Sequence, residues 1–314
     1  MKPDIYLFNG DADGIIACHQ LQMAYGPARH ITGVKRDIDL LQQVLPGSAA
    51  KLVVLDVAVE KNLKALKEHL AAGAQVIWFD HHVSPEIPQS SLLTTHINIA
   101  DNVNTSWLVN LQLQGAYAHW ALVALYGDDM AKAAGERAQA LGLDAATQAA
   151  YQELGVLFNY NAYGESLDDL WFHPSVLLDS LTGFADPLSY LQQSEIFSQL
   201  RQGYAADMKE AQTAERLSET LVIFPAQAWA RRVIGVYANE LAGQHPSKAV
   251  AILVENSSGS YTVSVRAPKQ GNASAAEFCS GFPTGGGRVK AAGINQLPKS
   301  ALDDFQARFT QFFG

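Results

Sequence analysis

Four short segments of the chain concentrate residues that bind cations or move protons. Asn9-Gly10-Asp11-Ala12-Asp13-Gly14 sets two carboxylates two residues apart between glycines. Leu55-Asp56-Val57 supplies another carboxylate, Asp80-His81-His82 adds two imidazoles, and Asp128-Asp129 follows Gly127. Taken singly, each has a plain structural use. Asp11 and Asp13 can cap a helix from a glycine-rich turn. Asp56 can close a strand, His81 and His82 can be surface or satisfied core residues, and Asp128-Asp129 can end one helix or cap the next. Brought together, so many carboxylates repel one another unless a cation sits between them. Oxygen donors with an imidazole suit manganese, magnesium or iron better than a thiolate-bound structural zinc.

These segments stand at matching points of a repeating pattern. Residues 5–8, 30–34, 52–57 and 76–79 read as short buried strands, and helical spacing fills 15–24, 38–44 and 61–72 between them. Such alternation marks a parallel sheet flanked by helices. The acidic segments follow the first, third and fourth strands, and in an open parallel sheet the C-terminal strand ends share one rim where ligands bind. A fifth strand is expected at 96–99 and an apolar helical run at 107–126. The pattern stays helical from 131 to 204, with breaks at Gly164, Pro174 and Pro187, and 190–221 reads as one long helix. Beyond it, strands are expected at 220–224, 232–237, 249–255 and 261–266. A helix at 273–280, a glycine cluster and a closing helix at 300–313 follow. The fold class is α/β: a parallel-sheet N-terminal domain (1–195), a helical linker (196–218) and a smaller α/β C-terminal domain (219–314), with an active-site cleft expected between the two.

The chain has 314 residues, enough for about two domains at roughly 150 residues each. Lys plus Arg number 22 against 31 Asp plus Glu, a net charge of −9. That balance argues against a grip on long nucleic acid, which needs a basic face to displace counterions, but leaves room for a small anionic substrate. Two cysteines, Cys18 and Cys279, are too few for a disulfide framework and fit a reducing cytoplasm. No stretch reaches the roughly 18 apolar residues of a membrane helix, and no cationic lead or cleavage site marks a secretory leader.

With Asp80-His81-His82, Asp11-x-Asp13-Gly14 and Asp56 in hand, the N-terminal half resembles the DHH phosphoesterase superfamily. Ser264-Val265-Arg266-Ala267-Pro268 and Gly285-Gly286-Gly287-Arg288-x-x-Ala291-Ala292-Gly293 resemble the first type of DHH-associated domain, found in nano-RNases and dinucleotide phosphodiesterases. The resemblance covers nearly the whole chain and implies two manganese ions, with magnesium or iron as alternatives. It implies one site at Asn9, Asp11 and Asp56 and another at Asp13, Asp56, His81 and Asp128, with Asp56 bridging. Asp80 would orient His81, and His82 would face the substrate phosphate or leaving oxygen. Two departures stand out: Asn9 replaces a histidine common among relatives, which weakens the first site, and Arg288 replaces a histidine after the glycines, which keeps phosphate recognition.

The glycines 285–287 are expected to present successive N–H groups to an anion, with Arg266 and Arg288 adding charge; a closely packed glycine turn is the plainer reading. Lys35-Arg36 lines a cleft or a solvated surface. Asn159-Tyr160-Asn161 and Tyr163 read as core packing before base recognition, and Trp78 as strand core. The implied function is hydrolysis of short linear oligonucleotides, above all 5′-phosphorylated dinucleotides such as pGpG or pApA, to mononucleotides. The alternatives are a cyclic dinucleotide phosphodiesterase, a single-strand exonuclease, a pyrophosphatase or polyphosphatase, and a non-hydrolytic dinucleotide sensor. The expected partner is a short nucleotide, with no long nucleic acid and no membrane, on a monomer or homodimer.

Overall fold

Ile5–Phe8 (β1) is four consecutive buried apolar residues, as a strand covered on both faces must be. A computed structural model describes residues 2–314 and divides the chain into two units, Met1–Arg201 and Gln202–Gly314. In the first, β1 is followed by Ala12–Tyr25 (α1), Arg29–Ile31 (β2), Lys51–Leu55 (β3), Val59–Ala71 (α2), Gln75–Asp80 (β4) and Leu93–Ile97 (β5). The strands form one sheet in the order β2-β1-β3-β4-β5, every pair parallel. The order reverses between β1 and β3, the switch point at which the C-terminal strand ends leave a crevice. One face packs Ile5, Leu7, Leu52, Val54 and Trp78 against Leu40, Leu41, Val59 and Leu66. Trp78 is fully buried, and its indole donates to the Val57 carbonyl at 2.8 Å.

Seven helices follow: Thr105–Gln112 (α3), Ala118–Gly127 (α4), Ala131–Ala140 (α5), Ala145–Asn161 (α6), Pro174–Ser180 (α7), Pro187–Gln193 (α8) and Glu195–Gln212 (α9). The single run expected over 107–126 is two helices, because Gln114 and Gly115 both take positive φ and turn the chain. The long helix expected over 190–221 is also interrupted. Ser194 is extended between α8 and α9, and α9 ends at Gln212 ahead of a strand. The helix expected at 38–44 shrinks to one 3₁₀ turn, Leu40–Gln43.

The second unit contains Glu215–Arg216 (β6), Leu221–Phe224 (β7), Ala228–Gln244 (α10), Val250–Glu255 (β8), Ser260–Arg266 (β9), Ala275–Ser280 (α11), Gly285–Gly287 (β10), Ala291–Pro298 (β11) and Leu302–Phe313 (α12). Its sheet runs β10-β11-β9-β8-β7-β6, antiparallel except for β7 with β8. The strand expected at 232–237 is instead the middle of α10. Ala230, Val233, Ile234, Tyr237, Ala238 and Leu241 are buried at helical spacing, and the local Val-Ile-x-Val-Tyr run only mimics a strand. Within this unit the Arg232 guanidinium grips the Asp207 carboxylate at 2.7 and 3.1 Å, both side chains largely buried. Phe278 lies within 5.2–5.7 Å of five other phenylalanine rings, Phe282, Phe305, Phe309, Phe312 and Phe313, which pin α12 to α11. Cys18 and Cys279 are free and buried.

Candidate metal centre

Asp11 stands between β1 and α1 and caps the helix: its Oδ1 accepts from the N–H groups of Asp13 (3.1 Å) and Gly14 (3.2 Å). Position 14 must be glycine, since a Cβ there would lie 2.2 Å from the Asn9 carbonyl oxygen. That tight return turns Asp13 inward, where it is fully buried. Its carboxylate accepts from the N–H groups of Thr105 (2.8 Å) and Ser106 (2.6 Å), the first two residues of α3. The positive end of that helix therefore rests on Asp13. Asp56, just past β3, has a left-handed φ of 57°, a strained conformation for a residue with a side chain. Its N–H donates to the Phe79 carbonyl at 3.0 Å, and its Oδ1 accepts from the Thr105 hydroxyl at 3.4 Å.

β4 leads into the two imidazoles, His81 and His82. His81 Nε2 lies 3.4 Å from Asp56 Oδ1 and 3.9 Å from Asp13 Oδ2. Two sets of donor atoms converge: Asp13 with His81 and Asp128, and Asp56 with His81 and His82. Asp128, at the end of α4, accepts at 2.9 Å from the side-chain amide of Asn104. Asn159 joins the carrying elements, accepting from the Ala12 N–H at 3.4 Å and donating to the Gly127 carbonyl. Asp80 serves a different imidazole from the one expected. Its Oδ1 accepts from the His81 backbone N–H at 2.8 Å and bonds the His82 ring Nδ1 at 2.7 Å, because the backbone bond turns the carboxylate along the chain toward His82. Its Oδ2 is buried without a hydrogen-bond partner among the described residues.

Burial, reinforced by Asp56 and Asp128, pushes the Asp13 carboxyl well above the usual carboxylate range. Burial and the neighbouring carboxylates, Asp11 first, do the same to Asp56, and burial with Asp11 raises Asp128. Asp11 goes the other way. Burial acts upward on it as well, yet the Lys35 ammonium paired with its Oδ2 carries it below the ordinary value. Burial opposes the charged form of His82, but the Asp80 hydrogen bond and the Asp56 charge hold its pKa up. Two buried carboxylates and a half-buried one, short of positive charge, with an imidazole among them and an orphaned carboxylate oxygen beside them, form a donor set that fits a divalent cation. Asn9 is differently employed: its amide oxygen accepts from the Asp11 N–H at 3.3 Å and its amide nitrogen donates to the Lys35 carbonyl at 3.1 Å.

Several of these roles escape a reading of the sequence. Lys35 was legible only as a cationic pair with Arg36, and Asn104, Thr105 and Ser106, ahead of the helical run expected at 107–126, were not singled out. The contact of the Thr105 and Ser106 N–H groups with Asp13, 92 and 93 positions away along the chain, has no local signal. Tyr160 and Asn161 are buried, and Asn161 bonds both backbone polar groups of Phe172.

In the second unit the triple glycine is no converging nest. It is the edge strand β10, paired Gly285 with Ile294, Gly286 with Gly293 and Gly287 with Ala292, so successive N–H groups point in alternate directions. Close packing explains two of the three glycines: a Cβ at 285 would lie 1.7 Å from the Cys279 carbonyl oxygen and one at 287 would lie 2.5 Å from the Ala292 Cα, while one at 286 would meet nothing within 4 Å. The Arg266 guanidinium bonds the Asn239 side chain (2.6 Å), the Ser264 hydroxyl (2.8 Å) and the carbonyls of Val265 and Gly235. Arg288 is exposed.

Residues 218–314 match the DHHA1 domain family. No curated protein matches the chain. Among solved structures, the fold is shared with an exonuclease RecJ bound to manganese, at 16% identity over 98% of this chain and 89% of that one, TM-score 0.58. A pGpG-specific phosphodiesterase, PggH from Vibrio cholerae, matches at 13% identity over 98% of both chains, TM-score 0.55. An exopolyphosphatase-related protein from Bacteroides fragilis matches at 14% identity over 99% of this chain and 93% of that one, TM-score 0.52.

Proposed function

We propose that this chain, which has the DHH superfamily fold and carries a DHHA1 domain, is a metal-dependent phosphodiesterase that cleaves short linear oligonucleotides to mononucleotides. One observation carries the reading: Asp13 and Asp56, both buried, converge with the half-buried Asp128 and His81 at the carboxyl ends of a parallel sheet, short of neutralising charge. Asp13, Asp56, His81 and Asp128 would hold the cation. A divalent ion bound there supplies a lowered pKa for water and neutralises the charge of a phosphodiester. Manganese is the ion to test first, since a RecJ of this fold was crystallised with it.

The chain's own residues do the rest. The α3 N-terminus and the Thr105 hydroxyl fix the Asp13 and Asp56 carboxylates, so neither must reorganise as substrate arrives. His82 is half-exposed, and Asp80 occupies its Nδ1. That leaves Nε2 to give a proton to the leaving 3′ oxygen as the phosphorus–oxygen bond breaks and water becomes the new phosphate oxygen. The net acidic chain supports a short substrate over a long strand. The pGpG-specific enzyme of the same fold supports 5′-phosphorylated dinucleotides, pGpG or pApA, as the preferred class.

A product time course tests this. Metal-stripped protein is resupplied with manganese and given pGpG, pApA, a cyclic dinucleotide, a five-nucleotide RNA and pyrophosphate, with Asp56→Ala as control. Fast, Asp56-dependent release of mononucleotides from a dinucleotide is expected. Tight dinucleotide binding without turnover would replace the enzyme with a sensor, and pyrophosphate as the sole substrate would move the activity elsewhere.

A further inference from the structure

We infer that the Lys35 ammonium is a built-in replacement for a second divalent cation, so that the centre takes one metal ion per chain. The inference rests on the metal-dependent reading above. Lys35 Nζ forms an ion pair with Asp11 Oδ2. The other Asp11 oxygen accepts two backbone N–H groups. The Asp13 oxygens also accept backbone N–H groups, so what sets Asp11 apart is the ammonium on its second oxygen. Asn9 is equally committed, with its amide oxygen on the Asp11 N–H and its amide nitrogen on the Lys35 carbonyl. Asp11 stands outside the convergent carboxylate and imidazole sets, which draw on Asp13, Asp56, His81, His82 and Asp128.

Lys35 is held in place rather than lying there by chance. Its N–H donates to the Ala162 carbonyl at 2.9 Å, its carbonyl accepts from Asn9, and the Tyr163 ring centroid lies 5.6 Å from the ammonium. The Asp11 side chain is 3% exposed and that of Lys35 28%, so the pair sits in a poorly solvated place with one edge open. A carboxylate neutralised there offers a second dication little attraction, and displacing the lysine would strand its charge. An ammonium is a compact point charge with three donors. One is spent on Asp11, and the others remain for a non-bridging phosphate oxygen. Asn9 and Lys35 thus act together: an amide, a weak ligand for a cation, and a fixed ammonium on the neighbouring Asp11 carboxylate.

The test counts manganese on the full chain. Stripped protein is titrated with manganese, bound metal is measured by elemental analysis after desalting, and electron paramagnetic resonance tells an isolated ion from a coupled pair. Wild type should saturate at one ion per chain with the six-line signal of an isolated ion. Lys35→Arg should keep that count, and Asn9→His combined with Lys35→Met should raise it to two and show spin coupling. Two ions in the wild type would overturn the inference while leaving the metal-dependent reading intact. One ion in both wild type and the double variant, with the variant's melting curve intact, would overturn the assignment of Lys35. No bound manganese in the wild type would overturn the metal-dependent reading, and this inference with it. The wild-type count needs no variant to fold.

Discussion

At the scale of single residues, burial and mutual repulsion raise the pKa values of Asp13, Asp56 and Asp128, so without a cation these carboxyls hold their protons to higher pH than ordinary ones. The sign of the pH dependence follows. With folded-state values above unfolded ones, the metal-free folded chain binds the extra protons, so its stability falls as pH rises from the ordinary carboxylate range through the raised values. A divalent ion must displace those protons, so its affinity rises over the same interval. Manganese titrations from about pH 5 to about pH 8 should show affinity climbing, and a flat profile would contradict the assignment. Asp56→Asn should raise the melting temperature of the metal-free protein, and by more at higher pH. Its turnover should fall by at least about 10²-fold, the scale of losing a principal electrostatic stabiliser.

Secondary-structure elements decide which of these residues meet. β1, β3 and β4 were legible because apolar runs of four to six residues bounded by glycine and acidic turns have few other uses, and the rim where Asp11, Asp56 and His81 gather follows from parallel order. β2, Arg29–Ile31, is a three-residue edge strand with no buried residue, not the buried run expected at 30–34. What stayed hidden lacked a local signature. α10 carries a strand-like Val-Ile-x-Val-Tyr stretch, and only the burial of Ala230, Ala238 and Leu241 on the same side reveals a helix. Gly285–Gly287 looks like a loop in sequence and is a strand because β11 pairs with it. Lys35 and Thr105 reach the centre through contacts that no spacing rule contains. Two predictions belong here. Gly285→Ala should destabilise the second unit, whereas Gly286→Ala should be tolerated, as read by urea denaturation. Asp207→Ala removes the carboxylate that Arg232 grips between α9 and α10 and should destabilise the second unit in the same measurement.

For the whole molecule, every residue of the candidate centre lies in the first of the two units. Divalent metal at a hundred times its dissociation constant should stabilise that unit by about 2.7 kcal/mol. Hydrogen exchange should therefore slow within residues 2–201 on adding manganese and stay unchanged within 202–314; uniform slowing would contradict a centre confined to the first unit. The left-handed backbone at Asp56, among carboxylates that repel one another, has a consequence for laboratory evolution. In a library selected only for heat resistance in a chelating buffer, Gly or Asn at position 56 and neutral side chains at 13 and 128 are gains, and the survivors are sturdy and inert. The same library screened in manganese has its ranking inverted at those positions, so the composition of the medium decides whether selection preserves the chemistry or erases it.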